Sequence, residues 1–237
     1  LGIAPWYFIG PRVARIGRSL GYVTQAQFLA GRFPSRVLSL LIAVLSVVAL
    51  VPYVTLQMRG AGIVIEVVTD GHVPLWAGAA VAYGIVLLYV LVSGVRGVGW
   101  TNTFQGIFMV VMAWTLGLYL PHALYGGVGP MFEQILTERP ELLELPGLTS
   151  DGEPWSWGGY SSAILVSAIG LTLWPHLFMK AFTARDERTL KRTIVLFPTF
   201  QLFLVPVLLI GFAGVLYMPG LERPDFILPQ LVLEVQL

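Results

Sequence analysis

The polar side chains of this chain that could hold a ligand are few, and most of them interrupt long apolar runs. In Ser167-Ala168-Ile169-Gly170-Leu171-Thr172-Leu173-Trp174-Pro175-His176, a glycine and a proline break up one such run. Proline has no N–H and clashes with the carbonyl four residues back, so a kink or break is expected just before Pro175. In membrane transporters, discontinuous helices expose half-helix ends and carbonyls that hold a small solute, which makes Gly170, Trp174 and Pro175 candidate solute contacts. A plain proline kink without a ligand is the alternative. His176, near Lys180, reads as a capping or gate residue rather than a metal ligand.

Two other clusters carry polar atoms. Tyr53 and Gln57 are spaced i, i+4 and share a helix face, one that should point into a bundle because a primary amide in lipid would go unpaired. They are candidate solute contacts, with a helix-packing hydrogen bond as the plainer role. Arg59 lies near the outer end of the same run, where snorkelling or pairing with Glu66 is expected. Thr101, Asn102 and Gln105 bring polar atoms into the start of a later run, with Asn102 the one asparagine in the chain. Thr101 and Asn102 fit either a helix cap or an ion pathway. None of these groups suggests bond-making chemistry. The chain has no Cys, no His-Glu-x-x-His and no Gly-x-Ser-x-Gly, so neither an enzyme nor a bound cofactor is expected.

The elements that carry these residues are membrane spans. Apolar residues make up 56% of the chain and charged residues only 11%, about half the charge of a soluble domain of this size. Crossing about 30 Å of hydrocarbon takes roughly 20 helical residues. Complete spans are expected near 37–66, 74–94, 100–124, 158–182 and 192–218. The tail of another span precedes them at 1–10, and the start of a further one follows near 226. The whole reads as one partial transmembrane domain over 1–237, with an external loop at 126–157 whose middle, 130–145, forms a short surface helix. Both ends fall inside apolar runs, and the chain is expected to be the middle of a larger polypeptide.

Charge gives the orientation. Eleven of the 14 Lys and Arg residues fall in three connectors, at 12–36, at Arg96 and at 180–192, while ten of the 13 acids fall in the connectors between, including Glu66, Asp70, Asp151, Glu222 and Asp225. Cytoplasmic loops carry the excess of Lys and Arg, so the basic connectors face the cytoplasm. A multi-pass protein of the plasma (inner) membrane is expected. The net charge of +1 gives no reason to expect nucleic acid as a partner.

The segment Gly94-Val95-Arg96-Gly97-Val98-Gly99-Trp100-Thr101-Asn102-Thr103-Phe104-Gln105 resembles the signature that opens a core helix in sodium:solute symporters. Thr24-Gln25-Ala26-Gln27-Phe28-Leu29-Ala30-Gly31-Arg32-Phe33 is similar to the family's cytoplasmic Thr-x-x-Glu-Phe-Leu-x-x-Arg-Phe loop, with Gln27 in place of the Glu. Pro52-Tyr53 with Gln57 and Gly60-Ala61-Gly62 resembles its third core helix, and Trp174-Pro175-His176 followed by Lys180 resembles its Pro-His motif.

The resemblance implies an all-α integral membrane fold of two inverted five-helix repeats, the architecture shared with the leucine transporter. This chain would be an internal fragment of that core. It also implies sodium-coupled uptake of a small organic solute by alternating access, with the main sodium site outside this fragment. A symporter-like sensor or receptor domain is the alternative. The family usually places Asp where Asn102 stands, in a position linked to sodium passage; an amide keeps an oxygen ligand and loses the charge. The stretch from Pro219 to Pro229 resembles the pantothenate and monocarboxylate branch, which implies a carboxylate-like solute.

Overall fold

A computed structural model describes residues 2–149, 152–221 and 223–235, without the side chains of Val95 and Arg96. Asp151 and Glu222 of the acidic connectors lie outside the described residues. Among the described residues every regular element is helical, apart from an isolated bridge between Leu148 and Pro154.

The described residues form ten α-helices in order: α1 Trp6–Leu20, α2 Gln25–Arg32, α3 Arg36–Val68, α4 Leu75–Tyr125, α5 Val128–Glu138, α6 Trp157–Leu173, α7 Pro175–Thr183, α8 Glu187–Phe200, α9 Leu204–Tyr217 and α10 Ile227–Glu234. Among the described residues, five stretches are long and apolar enough to cross a membrane: Arg36–Val68, Leu75–Gly94, Gly97–Tyr125, Trp157–Thr183 and Glu187–Tyr217. They match the five complete spans expected from the sequence. Residue 10 does not end the first segment, however, because α1 continues through Arg12, Arg15 and Arg18 to a left-handed Gly21.

The boundaries have local causes. Gly94 separates two helices inside α4 with φ 62° and ψ −164°, a conformation essentially reserved for glycine. Asp186 starts α8 by accepting the Thr189 N–H at 2.6 Å. That backbone hydrogen bond holds its carboxyl below the usual aspartate range. Thr24 and Gln27 form a reciprocal capping box at the start of α2.

The chain forms two compact units, Leu1–Leu50 with Glu144–Leu202, and Val51–Leu143 with Phe203–Leu237. In the first, α1 packs on α7 and α8 through Trp6, Val13, Ala14, Phe178, Phe182 and Ile194. Trp6 and Phe178 meet edge to face with centroids 4.9 Å apart. The buried α1 positions recur every three or four residues, as one face of a helix requires. In the second unit, α4 packs along α9 so closely at Gly117 that Pro206 occupies the place of a β-carbon. Gly62 of α3 likewise meets Leu75 and Gly78 of α4. Small residues at such crossings let helix backbones approach where lipid gives no hydrophobic drive.

Within the loop after α4, the expected surface helix is α5, with Met131 and Ile135 fully buried beside Ala213 of α9. It anchors the loop as well as covering a surface. By contrast, the α3 residues Val37, Leu40, Val47 and Leu56 are well exposed, as lipid-facing positions should be.

Candidate solute and ion site

The first candidate is built at the break between α6 and α7. Ser156 starts α6 by accepting the Gly159 N–H at 3.0 Å, and the helix then runs to Leu173. Trp174 adopts φ −61° and ψ 126°, because a residue before proline is pushed out of the helical region. Pro175 opens α7 at its first position, where a missing N–H costs nothing. The expected break is therefore present, at the expected residue.

Its carbonyls are not all free. The Trp174 N–H turns to the Leu171 carbonyl at 3.3 Å, which withdraws the donor that Gly170 would have in a continuing helix. Thr172 and Leu173, by contrast, are served from neighbouring elements. The Trp6 indole donates to the Thr172 carbonyl at 2.8 Å and the Gln25 amide to the Leu173 carbonyl at 3.1 Å. The Thr172 hydroxyl ties back to the Gly2 carbonyl at 2.6 Å. Gly170 thus loses its usual i+4 donor at the break, and it is an exposed residue with no neighbouring element where a β-carbon would stand.

Across the break, the Trp174 indole donates to Nδ1 of His176 at 2.7 Å. An indole N–H can only donate, so Nδ1 is the acceptor and the ring proton of the neutral imidazole sits on Nε2. His176 therefore ties the junction residue to the first turn of α7.

Beside α6 lies a recess of about 540 Å³ lined by Gly2, Pro146, Trp155, Tyr160, Ala163, Ile164, Ser167, Ala168 and Leu171. Its walls are mainly apolar with a few polar groups, the usual composition of a small-molecule site. None of the five solute contacts expected from the sequence lines it. The α6 contributors do fall on one helical face, through Tyr160, Ile164, Ser167 and Leu171, and that spacing was the signal available in the sequence.

The other candidates belong to the second unit. Tyr53 and Gln57 lie one turn apart on α3, both exposed, below Pro52, which withdraws a helical donor from Val48. The Gln57 amide makes no hydrogen bond among the described residues. Arg59 pairs with Asp225 at 2.8 Å and not with Glu66, which instead takes Arg223 at 3.1 Å. The partner differs from the expected one because the segment before α10 supplies charges far along the chain. Arg223 also stacks 3.8 Å over Phe226.

Thr101 donates back to the Gly97 and Val98 carbonyls at 3.1 Å each, so the helix is already formed a turn earlier. Asn102 sits inside that helix, exposed, without a hydrogen bond among the described residues. The capping role is thereby overturned for both residues: a cap must precede the first turn.

A family model described as the sodium:solute symporter family matches residues 3–233. The chain is 32% identical over 234 residues to the uncharacterized symporter YhjB of Bacillus subtilis (strain 168), covering 97% of this chain and 46% of that protein. It is 27% identical over 226 residues to the uncharacterized symporter YodF of the same organism, covering 95% and 45%. Against a monocarboxylate transport permease protein of Rhizobium johnstonii it is 23% identical over 229 residues, covering 95% and 44%. The chain thus spans a little under half the length of these curated relatives. No solved structure matches it. With a family match over nearly its whole length, and five stretches among the described residues long and apolar enough to cross a membrane, this chain belongs to the sodium:solute symporter family.

Proposed function

We propose that the full polypeptide carrying this chain is a sodium-coupled symporter of the plasma membrane that takes up a small carboxylate by alternating access. The observation that carries the reading is the Trp174 break, where Gly170 loses its helical donor, with a mainly apolar recess along the same helix. Gly170, Trp174 and Pro175 are the solute contacts of this reading, placed at the break itself. A carboxylate is favoured because α7 begins at the break, and helix N-termini attract anions. The name of the Rhizobium relative points the same way.

Thr101 and Asn102 are proposed to line the sodium pathway through their side-chain oxygens. Coupling then follows from differential affinity: sodium and solute must bind one orientation of the bundle more tightly than the other to shift the population between them. The test is uptake by cells expressing the full-length protein across carboxylates, amino acids and sugars, with sodium or choline outside. Sodium-dependent uptake confined to carboxylates supports the reading; uptake indifferent to sodium, or of sugars alone, refutes it.

A further inference from the structure

On the basic side of the first unit, the start of α8 and the facing turn of α1 flank an open groove of about 780 Å³. Arg188, Lys191, Arg192 and Val195 line it at positions i, i+3, i+4 and i+7, one stripe along α8, with Leu196 beside them and Tyr7 of α1 opposite. The stripe is ordered. Its first turn carries three cations, and its next carries two apolar side chains left 61% and 62% exposed. Glu187 is the one acid in the lining, and its Oε1 is already engaged by Arg15 at 2.8 Å. Lys191 holds its ammonium 5.3 Å from the centre of the Tyr7 ring, which keeps that cation over the groove. The groove therefore has an excess of positive charge at the membrane edge and a hydrocarbon wall next to it.

We propose that this groove is a binding site for an anionic phospholipid of the cytoplasmic leaflet. The headgroup phosphate sits among Arg188, Lys191 and Arg192, and an acyl chain lies along Val195 and Leu196. The charge excess selects against zwitterionic lipids, and anionic headgroups bind basic pockets between helices on this side of a membrane. The apolar continuation selects a lipid over a free phosphate, since a soluble anion would use the cations and leave the two aliphatic side chains bare. The site rests on the orientation that places the basic connectors in the cytoplasm, and it is independent of the solute carried.

The test is native mass spectrometry of the full-length protein in a neutral detergent. It is titrated with phosphatidylglycerol, with phosphatidylcholine of the same chains, and with glycerol 3-phosphate. Phosphatidylglycerol should bind and the other two should not compete at equal concentration. The triple variant Arg188→Gln/Lys191→Gln/Arg192→Gln should weaken binding roughly a hundredfold, about fivefold per cation. The Arg188→Lys/Lys191→Arg/Arg192→Lys variant should retain it, and Arg32→Gln/Arg36→Gln, on another basic connector, should leave it unchanged. If the neutral triple variant does not fold, Arg192→Gln alone should still cost about fivefold. Equal binding of phosphatidylcholine, displacement by glycerol 3-phosphate, or an unaltered affinity in the neutral variants would overturn the site.

Discussion

The indole of Trp6, on the first turn of α1, donates its proton to the carbonyl of Thr172, on the last turn of α6, at 2.8 Å. One tryptophan therefore satisfies a backbone group that the end of α6 orphans, and it ties two distant stretches of sequence into one unit. Trp6 is also 2% exposed and packed on Phe178.

Trp6→Phe keeps most of that packing and removes the donor. It should lower the stability of the full-length protein by about 1–3 kcal/mol, the cost of leaving a buried polar group unsatisfied. Thermal unfolding in detergent checks this, and a melting temperature equal to that of the parent would mean the bond carries no stability.

Gly94 should tolerate no side chain. Gly94→Ala forces a β-carbon into a conformation that costs on the order of 1–3 kcal/mol. Gly99→Ala, in the helix that follows and with no atom within 4 Å of its β-carbon position, should instead be neutral or stabilising by about 0.5–1 kcal/mol. Paired melting curves of the two variants decide whether the bend in α4 is a fixed feature of the fold.

At Asn102, the absence of a capping bond separates two outcomes. Asn102→Ala should leave thermal stability within about 0.5 kcal/mol, the range of ordinary surface changes. Asn102→Asp should change the sodium concentration needed for half-maximal uptake, since a carboxylate replaces an amide on the proposed ion route. A sodium response identical to the parent's removes Asn102 from that route.

Asp186 links α8 to pH. Its carboxyl is held below the usual range by the Thr189 N–H, so its folded value is depressed relative to the unfolded chain. The stabilisation is then complete above the unfolded value and is lost as pH falls through the lower folded value. Asp186→Asn keeps a good cap and removes the titration. Comparing the two proteins by melting temperature from neutral to strongly acidic pH should show the parent losing stability relative to the variant only in the acid arm.

Much of this was legible from residue types. The charge alternation and run lengths placed five spans, and Pro175 placed the break, because proline acts locally and needs no partner. The partners of the break were not legible. Trp6 and Gln25 lie 166 and 148 residues from the carbonyls they serve, and the alternation of apolar residues says which face is buried without saying against what. Arg59 shows the same limit, since nearby Glu66 was the obvious partner and distant Asp225 is the actual one. The Thr101–Asn102 cap failed because the span was expected to begin near residue 100, whereas Gly97 and Gly99 ahead of it are already helical.

The orientation can be read with single cysteines in the full-length protein. Glu144→Cys should react with an impermeant thiol reagent from outside the cell and Ser35→Cys should not. The reverse pattern would invert the topology on which the cytoplasmic lipid site depends.

The central claim is that sodium drives solute uptake, and purified full-length protein in liposomes tests it most directly. With sodium outside and choline inside, the substrate carboxylate should accumulate above its external concentration, and an ionophore that dissipates the sodium gradient should release it. Accumulation that survives loss of the gradient, or uptake that never exceeds equilibration, would contradict sodium-coupled symport.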